Sequence, residues 1–239
     1  MLLTLIQALI NRQMFSEQSL KLLVAELLLS LPIIMLTLSV HETAHGYVAH
    51  KLGDPTAKSL GRLTLNPFKH FDPFGFLMML LVGYGWAKPV PINTRYFKKP
   101  KRDMAVCAAA GPISNLLMAV LFTGLYKIFI LFVNNLPLQL TPQNVELLSN
   151  IIMLVALFLQ CGIRINVMFA IFNLIPVPPF DGSRIALALL PSDLYFKIQR
   201  YERYIFIVFF VLLLTNVLDP VLNFLSNGVI TLLFLLFGI

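Results

Sequence analysis

The sequence predicts an all-α membrane protein that crosses the bilayer several times. Of the 239 residues, 58% are hydrophobic and only 12% are charged, and the mean hydropathy is +0.83. A soluble domain is about half apolar and about a quarter charged, so a soluble fold is excluded. The apolar residues also fall in long stretches that short polar or basic loops separate. We therefore expect about five transmembrane helices in one integral-membrane domain over residues 1–239.

The first part of the chain holds a short apolar segment and then the first core helix. Residues 1–15 are shorter than the about 20 apolar residues that a span needs, so a short N-terminal helix is expected that is interfacial or partly inserted. The first core helix covers residues 20–50 and ends before Gly53-Asp54-Pro55. Residues 74–86 are apolar but short, and glycines interrupt them. We expect a re-entrant loop or β-hairpin there, buried against the protein.

The rest of the chain predicts four further spans. The second and third core helices cover residues 103–133 and 147–174. Prolines after the third core helix end it, and a short helix is expected over residues 183–190. Two further apolar stretches, residues 204–218 and 221–238, complete the predicted five.

The basic residues predict the orientation in the membrane. Residues 88–102 hold six lysines and arginines and no acidic residue, whereas residues 134–146 hold no lysine or arginine. Positive loops lie on the cytoplasmic side, so the end of the first core helix faces the cytoplasm of a cell (inner) membrane. Anionic lipid headgroups therefore explain the formal net charge of +7, and no nucleic-acid partner is expected.

A metal-binding pattern, His41-Glu42-Thr43-Ala44-His45, lies near the end of the first core helix. Helical residues four apart share one face about 6 Å apart along the axis, so both imidazoles can bind one cation. Glu42 is rotated by about 100° from His41, which suits a general base that contacts water. Such a short pattern also arises by chance, but ionisable residues inside a span are costly and are functional candidates. The motif therefore indicates one catalytic Zn²⁺ ion.

Catalytic zinc needs a third protein ligand and an open position for water. The other ionisable residues in or beside the spans that stand out are Glu26, Arg164 and Asp181. Glu26 lies about 22 Å from His41 along the same helix, which is too far for one metal. Asp181 follows the proline-broken end of the third core helix, where Gly182 permits a sharp turn that aims the carboxylate inward. On this local pattern alone, a cap for the next helix fits Asp181 about as well as a metal ligand.

Several residues have structural interpretations. Arg164 is expected to pair with a carbonyl or a carboxylate. Cys107 and Cys161 lie in apolar segments and are expected to be small buried hydrophobes. The small residues Ala44 and Gly46 are expected to let the first and third core helices approach closely.

Two separated motifs together resemble the signatures of the site-2 proteases, zinc metalloproteases that cut inside membranes. They are His41-Glu42-x-x-His45 and Asn173-x-x-Pro176-x-Pro178-x-x-Asp181-Gly182. Intervening segments resemble the compact bacterial and archaeal branch, without PDZ or CBS domains, namely residues 53–57 (GDPTA), 61–67 (GRLTLNP), 87–91 (AKPVP) and 110–115 (AGPISN). The resemblance covers roughly residues 20–200.

The resemblance implies a role for the residues of the two motifs. His41, His45 and Asp181 would bind one Zn²⁺ ion, and Glu42 would be the general base. Asn173 would hydrogen-bond the scissile carbonyl or its oxyanion. The substrates would be single-span membrane proteins in the lipid bilayer, cut within or next to the transmembrane segment.

Two other parts of the chain are expected to contact the substrate. The resemblance implies that Asn115 faces the site, although a polar contact between helices fits this residue equally well. The run Pro89-Val90-Pro91 is expected to offer a strand edge that holds an unwound substrate.

A metal-binding or metal-transporting membrane protein without protease activity would use the same ligands. A transporter needs ionisable residues along a path through the whole bilayer, whereas here they cluster near one side. The protease interpretation is therefore favoured, and no oligomeric state is predicted.

Overall fold

The computed structural model describes residues 17–82, 85–136, 142–191, 198, 200–215 and 217–239. Its helices in chain order are α1 (Glu17–Lys51), α2 (Thr56–Ser59), α3 (Pro73–Val82), α4 (Pro100–Asn134), α5 (Pro142–Leu174), α6 (Asp181–Ala188), α7 (Glu202–Leu214) and α8 (Asp219–Phe237). Two 3₁₀ turns cover Pro67–Lys69 and Thr94–Tyr96. The helix expected over residues 1–15 lies outside the described residues.

Four of these helices, α1, α4, α5 and α8, are long and apolar enough to cross a membrane. Helix α7 has 13 residues and so rises about 20 Å, whereas the hydrocarbon core of a bilayer is about 30 Å thick. The all-α membrane class is therefore confirmed. The fifth span, expected over residues 204–218, is not confirmed.

The long helices pack into one bundle. Helices α1, α4 and α5 contact one another, and α8 packs on α4 and α5. A Cβ atom at Gly162 would overlap the ring of Phe122, so this glycine lets α5 approach α4 closely. Between apolar helices in a bilayer, such close packing holds the bundle together. The buried cluster at this junction comprises Ala119, Phe122, Leu159, Ile163, Val167 and Leu233.

The connection between α1 and α4 contains no strand in its described residues. The β-hairpin expected over residues 74–86 is therefore not confirmed. Helix α3 occupies most of that segment, and residues 85–93 follow without regular secondary structure. We call residues 85–93 the strap. Because proline lacks an N–H, Pro89 and Pro91 cannot donate to a β-ladder, which is consistent with the irregular strap.

Asp54 ties the far end of the strap to the end of α1. Its buried carboxylate accepts hydrogen bonds from Asn93 N at 2.7 Å and from Thr56 N at 2.9 Å, and the Thr56 hydroxyl also donates to it. Burial raises the pKa of Asp54, but these hydrogen bonds outweigh burial and lower the pKa. The carboxylate is therefore charged at neutral pH and holds the two connecting segments together.

A sharp return of the chain separates α5 from α6. Helix α5 ends at Leu174, before the prolines, and α6 begins at Asp181. A Cβ atom at Gly182 would overlap the carbonyl group of Leu174, so the tight return requires glycine. Because α6 also packs on α4, the first residue of α6 is held against the helix bundle.

Candidate metal centre

Three side chains from two distant parts of the chain converge at the C-terminal part of α1. The Nε2 atoms of His41 and His45 lie 3.0 Å apart. The Oδ2 atom of Asp181 lies 3.1 Å from the first of these nitrogens and 3.2 Å from the second. Both imidazoles are buried, and Asp181 is half-buried. The three residues that the sequence motifs suggested as ligands therefore face one point.

This triangle of atoms fits a zinc ion. Ligand atoms at about 2.0–2.2 Å from a tetrahedral zinc lie roughly 3.3–3.6 Å from one another, close to the separations found here. Two imidazoles and one carboxylate are also a common donor set of catalytic zinc sites. The Oδ2 atom of Asp181 is buried and receives no well-aligned hydrogen bond. An acceptor atom of this kind among two imidazole nitrogens is best satisfied by a cation.

Asp181 is in the ionised form that a cation binds. Burial raises the pKa of this carboxyl, but the two neighbouring imidazoles outweigh burial and lower the pKa to about 2. Asp181 is the first residue of α6 and makes no capping hydrogen bond at that helix end. The local pattern left a cap and a metal ligand equally open, and the contacts of the side chain favour the ligand.

Helix α4 orients both imidazoles from behind. The Nδ1 atom of His45 donates to the backbone carbonyl of Cys107 at 2.8 Å, which leaves the Nε2 lone pair directed into the site. The amide nitrogen of Asn115, which is fully buried, lies 3.2 Å from His41 Nδ1. A metal on Nε2 would require Nδ1–H, and the Asn115 amide would then take its alternative orientation and present its oxygen to His41. The Oδ1 atom of Asn115 is buried without another partner and is available for that bond.

Gly111 lets α4 pass directly behind the two histidines. A Cβ atom there would lie 2.5 Å from His41 Cε1 and from His45 Nε2, so a larger residue would displace the imidazoles. The sequence interpretation had assigned close helix approach to Ala44 and Gly46. For Gly46 this is wrong, because a Cβ atom there would meet Leu63 at 2.8 Å and other residues of the connection between α1 and α4.

A cavity of about 410 Å³ opens beside the metal centre. His41, Glu42 and Asn173 line it, together with apolar side chains from α3, α5 and α7. The Asn173 amide donates to Phe169 O at 3.0 Å, one turn earlier in α5, and its second N–H is not used in that bond. The two residues predicted to act on the substrate thus face the same space as a predicted metal ligand.

The strap forms one wall of this cavity. Pro89 is among the lining residues, and the backbone N–H of Val90 donates to Glu42 Oε2 at 2.7 Å. Pro91 follows this contact directly in the chain. The substrate-binding roles of Pro89, Val90, Pro91 and Asn115 stay predictions.

Sequence reasoning overlooked three contributions to the site. It treated Cys107 as a buried hydrophobe, and both cysteines are buried and free. The backbone carbonyl of Cys107 also accepts a hydrogen bond from His45. A backbone carbonyl has no signature in the sequence. It assigned no role to Gly111, or to Arg62, whose side chain donates to the strap carbonyls of Lys88 and Pro89, although both residues lie in the segments quoted for the family resemblance. The sequence did carry a signal for each of these two roles. Gly111 lies inside a span, and Arg62 is a lone arginine in residues 61–72, which we call the turn-rich segment.

Comparisons with known proteins agree with this geometry. The profile described as Peptidase family M50 matches residues 30–215. A protein of Bacillus subtilis (strain 168) named "Putative zinc metalloprotease YwhC" is 42% identical over 201 residues, which cover 81% of this chain and 87% of that protein.

Two mycobacterial proteins named "Putative zinc metalloprotease Rip2" are also similar. The protein of Mycolicibacterium smegmatis (strain ATCC 700084 / mc(2)155) is 28% identical over 77% of this chain and 66% of its own length. The protein of Mycobacterium tuberculosis (strain ATCC 25618 / H37Rv) is 27% identical over 86% of this chain and 72% of its own length. No solved structure matches the chain. The chain therefore belongs to peptidase family M50, the site-2 protease family, and is a membrane zinc metalloprotease.

Proposed function

We propose that this metalloprotease hydrolyses peptide bonds within or next to the transmembrane segment of single-span membrane proteins. The observation that carries the proposal is the position of the metal centre. The two histidines lie on a helix that is long and apolar enough to cross a membrane, and the adjoining cavity is mostly apolar. A site so placed meets substrates that lie in the bilayer rather than soluble peptides.

The metal ligands in this proposal are His41, His45 and Asp181, the three groups whose atoms meet at the centre. When bound, zinc polarises the scissile carbonyl and makes water acidic enough to lose a proton near neutral pH. The chain supplies the proton acceptor, since Glu42 lines the cavity next to His41. Glu42 takes the proton of the attacking water and passes it to the leaving nitrogen.

Asn173 stabilises the charge that develops on the scissile carbonyl oxygen. Its side chain is tethered to Phe169 O through one N–H, and the other N–H is available to the substrate in the cavity. An amide donor held before the reaction begins costs no reorganisation during it. Removal of one such donor typically raises the barrier by about 2.7–4 kcal/mol.

The cavity walls suggest how a substrate reaches the metal. A transmembrane helix has its carbonyls bonded within itself, so a segment must unwind before attack. The strap and α7 both line the cavity, and we place the unwound segment against these two walls. Because Pro89 and Pro91 lack N–H groups, the strap would contact it mainly through carbonyls and apolar surface.

We further propose that the chain is one integral-membrane domain of the cell membrane, with the metal centre towards the cytoplasm. The basic run over residues 88–102 supports this orientation. That run extends from the strap into the first turn of α4 and so lies at the same end of the bundle as the metal centre.

The test is cleavage of a model transmembrane substrate by purified protein in lipid vesicles. Glu42→Gln should retain zinc and lose cleavage by at least about 100-fold, because a general base contributes about 10²–10⁴-fold. Glu26→Gln is the matched control on the same helix and should cleave normally. Near-normal cleavage by Glu42→Gln would refute the mechanism. Zinc flux into sealed vesicles without cleavage would instead support the transporter interpretation.

A further inference from the structure

We infer that Arg62 is a positioning residue that orients the catalytic carboxylate of Glu42 through the strap. The inference rests on the proposed function of Glu42. Arg62 lies in the connection between α2 and α3. Its Nη2 atom donates to the backbone carbonyls of Lys88 at 2.8 Å and of Pro89 at 3.2 Å. One guanidinium nitrogen therefore holds two consecutive strap carbonyls immediately before Val90.

Val90, the next residue of the strap, connects these anchored carbonyls to Glu42. In the run Pro89-Val90-Pro91, only Val90 has a backbone N–H, because proline has none. That N–H donates to Glu42 Oε2 at 2.7 Å. A carboxylate has about four acceptor sites on its two oxygens, so this bond fixes the Oε2 side and leaves other sites, including those of Oε1, to accept the proton of water. The strap thus sets which way the carboxylate faces.

Further hydrogen bonds connect the strap to α1 through Thr64 and His70. Thr43, the residue after Glu42, donates its hydroxyl to Thr64 O at 2.7 Å. Buried His70 donates through Nε2 to the same carbonyl at 2.8 Å, and Lys88 N donates to His70 O at 2.9 Å. The turn-rich segment, the strap and α1 therefore form one connected network beside Glu42.

Packing fixes the strap from its other side. The Val90 side chain is buried and lies against Gly46, one helical turn after Glu42. A Cβ atom at Gly46 would come within 3.0 Å of Val90 Cγ1 and 2.8 Å of Leu63 Cδ2. The glycine therefore allows the strap to approach α1 closely enough for the contact between Val90 N and Glu42.

The expected contribution of Arg62 is larger for the rate than for substrate binding, although the strap also lines the substrate cavity. Displacement of a reacting group by about 1 Å costs about 100-fold in rate. Without Arg62, the strap carbonyls lose their anchor, and the Val90 N–H no longer holds Glu42 in one orientation. The metal ligands lie on α1 and α6 and do not depend on this anchor.

The experiment compares Arg62→Gln with Arg95→Gln, which removes the same charge from an exposed side chain just beyond the strap. Arg62→Gln should lower kcat by about 10- to 100-fold with zinc content unchanged, and KM should change less than kcat. Arg95→Gln should match the wild type. Arg62→Lys should recover part of kcat, because one ammonium group can donate to both carbonyls as Nη2 does.

A second readout reports on the strap without any substrate. A Val90→Cys thiol should react slowly with a labelling reagent in the otherwise native chain and in the Arg95→Gln background. It should react faster in the Arg62→Gln background, because local opening of a segment is easier when its hydrogen bonds are lost. The native cysteines are buried, and the chain without Val90→Cys gives their background labelling.

Two results would overturn the inference. Arg62→Gln could match Arg95→Gln in kcat and in labelling, or it could lose zinc in parallel with cleavage, which would assign Arg62 a general structural role. Failure of the proposed protease function would show differently, as a wild-type protein that retains zinc and cleaves no transmembrane substrate. In that case the labelling comparison still decides whether Arg62 holds the strap.

Discussion

Among the ionisable side chains in or beside the apolar helices, two groups differ in their surroundings. The metal centre joins α1 and α6, and α4 supplies partners behind both imidazoles. The other group is the pair of Arg164 on α5 and Glu26 on α1, which share one contact of 3.2 Å. The Arg164 side chain is 68% exposed, whereas that of His41 is 7% exposed.

The comparison teaches that an ionisable residue within a span is not by itself evidence of a catalytic site. Arg164 pairs with a carboxylate, as the sequence interpretation expected, and this pairing reduces the cost of two charged groups on apolar helices. At the metal centre, several elements aim lone pairs at one point, and buried partners set the orientation of each ring. Such convergence requires residues of several elements to be placed together, and it distinguishes a metal-binding site from a structural ion pair.

Asp181→Asn should have the largest effect of the substitutions that probe this comparison. Asparagine keeps the size of the side chain but removes the charge that offsets the cation. Zinc content and cleavage should fall by more than about 100-fold, since even a partner behind a ligand is worth about 10- to 100-fold. Metal analysis and the cleavage assay measure both. Asp72→Asn is the matched control, because Asp72 only caps a helix through Gly75 N at 2.8 Å. Full zinc content in Asp181→Asn would show that Asp181 is not a ligand.

Asn115→Ala should have an intermediate effect. It removes the partner of His41 Nδ1, and zinc affinity should fall by about 10- to 100-fold. Asn115→Asp should retain more affinity than the alanine variant, because a carboxylate accepts a hydrogen bond from Nδ1–H. Titration with a competing chelator measures these affinities. Unchanged zinc affinity with a raised KM would favour the substrate-binding role that the resemblance implied.

Glu26→Gln and Arg164→Gln should have the smallest effect on cleavage. Each single substitution leaves the other charge unpaired in an apolar span and should destabilise the fold, so the double substitution, which removes both charges, is the control. Cleavage should remain close to that of the wild type, because the pair lies far along α1 from the metal. Denaturation in detergent and the cleavage assay provide the measurements. A large loss of cleavage at normal zinc content would place this pair in the mechanism, and the pair would then no longer be a structural contrast to the metal centre.

Sequence alone determined the membrane class and the main spans, and it predicted the residues of the centre. Apolarity and helix length are local properties, so composition predicted the spans that α1, α4, α5 and α8 form. The four-residue spacing of His41 and His45 is also local, because one helix carries both residues. Asp181 was harder. Its immediate neighbours left a cap and a ligand equally open, and only a resemblance over two distant motifs favoured the ligand.

Tertiary structure alone decided how the site is held. The carbonyl of Cys107, the amide of Asn115 and the N–H of Val90 reach the site from distant segments. Two of these are backbone groups, a carbonyl that every residue type provides and an N–H that every type except proline provides, so the residue's own identity does not point to them. The expected β-hairpin and fifth span were not confirmed for a related reason. Residue type sets what a segment can form, whereas hydrogen bonds and packing with distant parts of the chain select what it does form.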